Sequence, residues 1–271
     1  MSDTASTSRE EEVLYAEDGH IATITLNAPE RMNTISPAMT NRISELLIDA
    51  DADPNIRAII LTGAGNRAFC AGLDLRPGAR ENATESNGNT STRLYLRNMP
   101  PAVMTMIDTP IICAVNGAAA GYGLDLTLGA DMRIMGESGK LSTTFLRRGL
   151  VPESGCTWLL PRLIGWEKAA ELLMMGRTLV GQECVDWGLA RKCVPDDELM
   201  DAARAMALEV CENAPLAVQA AKRMMRMGLE EPLQQHMHHV YMQLMALMRT
   251  DDTAEGLKAF LEKRDPEFHA K

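Results

Sequence analysis

The chain has 271 residues, 46% hydrophobic and 24% charged, enough apolar material for a full core and outside the composition of disordered chains. Lys plus Arg number 27 against 37 for Asp plus Glu, and the net charge of −10 repels phosphate backbones, which argues against nucleic acid as a partner. Six cysteines without a CxxC pair read as reduced, buried thiols, and no apolar run approaches the roughly 18–20 residues of a membrane span.

Residues 1–12 are polar, with neither an apolar leader nor a basic amphipathic one, and read as a flexible tail, so a cytoplasmic location is expected. From Val13 to Leu26 two β-type runs predict a hairpin ending at Asn27-Ala28-Pro29. Ser36 and Pro37 then supply an N-cap and a first-turn proline for a helix whose apolar stripe is Met39, Ile43, Leu46, Leu47 and Ala50. Arg57 to Thr62 reads as a strand covered on both faces. The polar stretch Arg76 to Thr92, with sequons at Asn82 and Asn89 that read as incidental, predicts a surface loop. A helix over 92–107, a strand over 110–115, a helix from Gly121 and a strand over 132–135 continue the order, which makes the fold class α/β with loosely repeated β-β-α units.

From Trp166 onward five helical patterns dominate, with strand character over 191–194, and the core is expected to span 13–195 and a helical C-terminal region 196–271. That region is rich in methionine at helical spacing, a deformable packing face within the chain or between subunits. His236, His238 and His239 invite a metal reading, but only His236 and His239 share a helix face and no third ligand is evident, so no metal is assigned.

Two glycine-bearing segments follow predicted strands, where α/β proteins place ligands. Leu61 to Asp74 lacks the third glycine of a dinucleotide fingerprint after Gly63 and Gly65, and Ala114 to Asp125 is a run of small residues opening a helix. Small residues allow close backbone approach, and a helix N-terminus offers unpaired N–H groups, so the pair suits an oxyanion hole; tight turns or close helix–sheet contacts explain the glycines equally well.

Together these segments resemble the crotonase, or enoyl-CoA hydratase/isomerase, superfamily over about Val13 to Phe268. Leu26-Asn27-Ala28-Pro29-Glu30-Arg31-Met32-Asn33, Ala68-Phe69-Cys70-Ala71-Gly72-Leu73-Asp74 and Val115 to Asp131 resemble its ordered motifs, with later landmarks at Gly176-Arg177 and 259–264. The resemblance implies a crotonase-like spiral of β-β-α units with a helical C-terminal oligomerisation region, forming a homotrimer or a dimer of trimers. It implies an acyl-CoA thioester substrate and no separate cofactor. Within that substrate site it places Ala68, Ala71, Gly72, Leu73, Asp74 and Gly121, with the N–H groups of Ala71 and Tyr122 on the thioester oxygen and Arg31 and Lys263 near the CoA phosphates.

The resemblance also sorts the acids. Hydratases of the family use two glutamates; here the first position carries Asp125 and the second aligns with Phe145, which cannot move a proton. Glu153, in Val151-Pro152-Glu153-Ser154-Gly155, stands where the family's isomerases place their base. The expectation is therefore double-bond isomerisation by Glu153 beside an oxyanion hole, with Phe145 desolvating Glu153. A hydratase using Asp125 and Glu153, a dehalogenase-type carboxylate attack for which Asn98 and Phe145 give no aromatic or His support, and a non-catalytic acyl-CoA-binding role are the alternatives.

Overall fold

The computed structural model describes residues 12–76 and 99–271. The tail over 1–11, most of the polar stretch after Arg76, both sequons, Asn98 and the first part of the 92–107 helix lie outside the described residues.

β1 (Val13–Asp18) and β2 (Ile21–Leu26) form the expected hairpin, with Val13 opposite Leu26. Ser36 caps α1 (Pro37–Ala52): the Met39 N–H donates to the serine hydroxyl oxygen at 3.2 Å, and Pro37 takes a first-turn position where no intrahelical acceptor exists for the N–H it lacks. The five residues of the predicted stripe are all buried.

Three strand-strand-helix units follow. β3 (Ala58–Gly63) and β4 (Ala68–Cys70) precede α2 (Pro100–Met106), β5 (Ile111–Val115) and β6 (Ala118–Ala120) precede α3 (Tyr122–Gly129), and β7 (Met132–Gly136) and β8 (Lys140–Ser142) precede α4 (Cys156–Ile164). In each unit the first strand joins one sheet and the second joins another. The larger sheet has the order β1-β2-β3-β5-β7-β10, where β10 is Lys192–Val194, and is parallel beyond its first pair. The smaller has the order β4-β6-β8-β9, with β9 (Thr178–Val180) antiparallel to β8. The chain thus spirals between two sheets, as the resemblance implies.

The central strands are buried on both faces, and their alternation divides the core. Ile59 and Leu61 of β3, with Ile111, Cys113 and Val115 of β5, face a large cluster shared with α1, α2 and α3. Ala58 and Ile60, with Ile112 and Ala114, face a second cluster closed by Leu199, Ala203, Ala207 and Cys211 of α7 (Leu199–Cys211). Spacing of four residues puts these α7 positions on one stripe. Residues 190–196, where the sequence suggests a boundary, hold β10 and the turn after it, and α7 just beyond packs on the sheet.

α5 (Trp166–Met174) and α6 (Gln182–Asp186) precede α7, and α8 (Pro215–Gly228), α9 (Leu233–Leu247) and α10 (Asp251–Glu262) follow it. Lys222 of α8 reaches the Asp131 carboxylate at 2.7 Å and the Thr109 carbonyl at 2.9 Å, tying that helix to the end of the sheet. α9 buries none of its residues and presents Leu233, Met237, Tyr241 and Met242 to solvent. His236 and His239 of α9 both meet Glu231 in the turn before it, at 3.3 and 3.0 Å. Among the described residues no helix is long and apolar enough to cross a membrane.

Candidate active site

The first glycine segment leaves β4 and is pinned by the loop before α1. Ala71 N–H donates to the Met32 carbonyl at 3.0 Å, and Ile35 N–H donates to the Gly72 carbonyl while Asp74 N–H donates to the Ile35 carbonyl, both at 2.9 Å. This parallel bridge between Ile35 and Leu73 uses the groups on either side of Leu73 and leaves its own N–H without a partner among the described residues. The donor assigned to Ala71 from sequence is thus corrected: its N–H is already engaged, and the free one is two residues further on. Sequence carried no sign of this, because the bridge partner lies 38 positions upstream.

Asn33 organises the loop and has no assigned role in the sequence reading. It is fully buried, accepts the Ala28 N–H at 2.9 Å, and donates to the carbonyls of Ala64 and Ala68 at 3.0 and 2.8 Å. Its side chain therefore joins the Asn27–Asn33 segment to β4, which holds Ala68. Asn116 makes a matching tie, accepting the Gly63 N–H at 3.1 Å and donating to the Gly65 carbonyl at 2.7 Å.

The second segment opens α3 at Gly121, which adopts φ 56° as the N-cap. Tyr122 and Gly123 contribute N–H groups with no partner among the described residues, as the first turn of a helix must. The helix lies directly on β4: a Cβ at Gly123 would stand 2.0 Å from the Cys70 carbonyl oxygen, so only glycine permits the contact. Gly72, at φ +114°, sits against the same helix start, and its notional Cβ is 3.3 Å from the Ala120 carbonyl oxygen and 4.0 Å from the Tyr122 nitrogen. The unpartnered N–H groups of Leu73 and Tyr122 are thereby brought to one place from two strands of the smaller sheet. Tyr122 itself is 1% exposed, and its hydroxyl, buried without a partner among the described residues, has its acidity pushed well down by burial.

The acids divide unequally. Asp125 is fully buried; one oxygen accepts the Cys156 N–H at 3.0 Å, and the other has no partner among the described residues. Burial first, and then the Glu153 charge, push its carboxyl up to about 7. Glu153 is exposed, in the turn between β8 and α4. The expected desolvation of Glu153 by Phe145 is thus corrected: the phenyl ring is itself buried, 4.0 Å from where a Cβ on Gly121 would stand, and the carboxyl that loses water is Asp125.

The basic candidates have different surroundings. Arg31 is largely enclosed and meets Glu12 at 2.8 Å, Glu30 at 3.0 Å and Asp74 at 3.8 Å, so an incoming phosphate competes with three carboxylates. Asp74 is also gripped by Arg76 at 2.6 Å, and those hydrogen bonds hold its carboxyl below the usual range. Lys263, at φ 56°, ends α10, and its ammonium has no ion pair among the described residues. Pro29, Met32, Asn33, Gly65, Arg67 and Ala68 line a shallow depression on the flank of the first loop.

Residues 16–271 match the family model described as enoyl-CoA hydratase/isomerase. The chain belongs to the enoyl-CoA hydratase/isomerase family. Its relatives include an (E)-benzylidenesuccinyl-CoA hydratase of Thauera aromatica, 35% identical over 92% of this chain and 95% of that protein. A 1,2-epoxyphenylacetyl-CoA isomerase of Escherichia coli is 35% identical over 93% of this chain and 95% of that protein. An enoyl-CoA hydratase structure from Mycobacterium marinum superposes with a TM-score of 0.87 at 30% identity, covering 97% of this chain and 100% of the other. Relatives in this enoyl-CoA hydratase/isomerase family thus carry both hydratase and isomerase names.

Proposed function

We propose that this acyl-CoA enzyme shifts a double bond, converting a 3-enoyl-CoA or a related ring substrate to its conjugated isomer. The observation that carries this reading is the pair of free N–H groups, Leu73 and Tyr122, meeting across Gly72 near a turn that bears the exposed Glu153. In this reading the thioester oxygen accepts from both N–H groups. Glu153 removes a proton from carbon 2, and the C–H electrons pass into the enolate. The enolate then forms the C2–C3 double bond, the former C3–C4 double bond takes the same proton at carbon 4, and Glu153 returns to its ionised state. No separate cofactor takes part, and the larger end of CoA lies along the depression beside Arg67. Phe145 supports isomerisation over hydration, since a buried phenyl ring holds no water for addition.

The second reading is a hydratase using Asp125 with Glu153, favoured by the unpartnered Asp125 oxygen and a carboxyl near 7 that can carry a proton at neutral pH. Incubating the protein with a 3-enoyl-CoA and a 2-enoyl-CoA in parallel, wild type beside Glu153→Gln, separates the two. A conjugated product of unchanged mass that disappears in the variant supports the isomerase; a product heavier by one water moves the assignment to hydratase. Unchanged isomerisation by Glu153→Gln removes Glu153 from the mechanism.

In the same reading the subunits form a homotrimer or a dimer of trimers in the cytoplasm; the exposed apolar face of α9, with Leu257, Phe260 and Leu261 of α10, supports self-association. Light scattering of the purified protein gives its mass directly.

A further inference from the structure

The two oxygens of Asp125 have different surroundings. Oδ1 accepts the Cys156 N–H at 3.0 Å, whereas Oδ2 is buried without a partner among the described residues. Cys156 is the first residue of the nine-residue α4, so its N–H has no acceptor within the helix, and no side chain at the N-cap, Gly155, can supply one. The carboxylate arrives from α3, a neighbouring helix 31 positions upstream. It both satisfies the orphan donor and meets the positive end of the α4 dipole.

Glu153 stands three residues before Cys156 in the same turn, and Gly155 between them adopts φ +113°, which fixes the direction in which the turn leaves the helix. We propose that Asp125 is a positioning residue, which holds the N-terminus of α4 and through it aims the Glu153 carboxylate at the acyl chain. This rests on Glu153 being the base. Among the described residues, the groups facing Asp125 are Tyr122 on its own helix, Glu153 from the turn and the Cys156 thiol and N–H from α4. None is a cation, so the anchor is sensitive to its own protonation. With the carboxyl at about 7, an ionised acceptor, the stronger one, predominates above that pH and a neutral one below it.

The test compares wild type, Asp125→Asn, Asp125→Ala and Asp125→Leu by two readouts. Amide hydrogen exchange at Cys156 needs no substrate: it should rise at least about tenfold in the Ala and Leu variants and stay near wild type in Asn, which keeps an acceptor oxygen. Asp125→Leu fills the space of the lost carboxyl and serves if the Ala variant does not fold. Isomerisation of a 3-enoyl-CoA between pH 5.5 and 8.5 is the second readout. Misplacing the base should lower kcat on the order of 10²-fold in Ala and Leu with KM little changed, while Asn recovers most of it and loses the wild-type inflection near pH 7. Unchanged Cys156 exchange in the Ala and Leu variants overturns the proposal, as does wild-type kcat in either. An Asn variant as inactive as Glu153→Gln also overturns it, because the carboxyl itself would then do chemistry. If wild type hydrates and does not isomerise, the functional reading fails separately, and Cys156 exchange still decides whether Asp125 holds the turn.

Discussion

Ala71 donates its N–H to the carbonyl of Met32 at 3.0 Å, and this one bond moves the candidate oxyanion donor from Ala71 to Leu73. A group already paired with a backbone carbonyl offers little to a developing enolate, whereas a free N–H aimed at it is worth several kcal/mol in the transition state. Leu73→Pro removes the free donor and leaves both hydrogen bonds of the Ile35 bridge possible. Steady-state kinetics should show kcat lower by about 10²–10³-fold, with CoA-ester binding by calorimetry within a few fold of wild type. Full activity in that variant would return the assignment to another donor.

Gly123 is a second fixed point, because α3 rests on β4 at backbone distance. A methyl group 2.0 Å from the Cys70 carbonyl oxygen can be accommodated only if the helix start moves away from the strand. Gly123→Ala should therefore destabilise the fold by about 1–3 kcal/mol in urea denaturation and displace the Tyr122 N–H as well. An unchanged midpoint would show that α3 and β4 do not meet at backbone distance.

Burial raises the Asp125 carboxyl from its ordinary 3.8 to about 7, so the folded chain holds this proton more tightly than the unfolded one. The sign follows: between about pH 4 and pH 7 the unfolded state has released the proton and the folded state has not, so this group's contribution to stability declines as pH rises and levels off above 7. At 1.36 kcal/mol per pH unit the loss is at most on the order of 4 kcal/mol. Asp125→Asn keeps the acceptor for Cys156 and removes the titration. Thermal melts should show it gaining on wild type from pH 4 to pH 8; a constant difference across that range would mean that Asp125 is not held neutral by burial.

The apolar face of α9 makes its own prediction. Met237 and Tyr241, 62% and 57% exposed in the single chain, lie one helical turn apart. Replacing both with Glu should shift light-scattering mass toward the monomer without altering the far-ultraviolet circular dichroism. If the mass stays that of wild type, the subunits meet elsewhere or do not meet.

Local chemistry was legible where a residue's own neighbours set its conformation. Ser36-Pro37 marks the start of α1 because an N-cap hydroxyl and a proline act within one turn, and the stripe through Ala50 follows from a period of 3.6. The central strands β3 and β5 are readable as continuous apolar runs because both of their faces are covered. The family, and with it the spiral, was legible from several ordered motifs. Tertiary structure decided what depends on distant partners: which backbone N–H is free, since Met32 and Ile35 pair with the segment after β4; which acid loses its water, since α3 carries Asp125 under α4 while Glu153 stays outside; and the three-residue strands of the smaller sheet, too short to show a period. Hydrogen bonding and desolvation at these points are set by groups tens of residues away in the chain, and no local pattern of side chains encodes them.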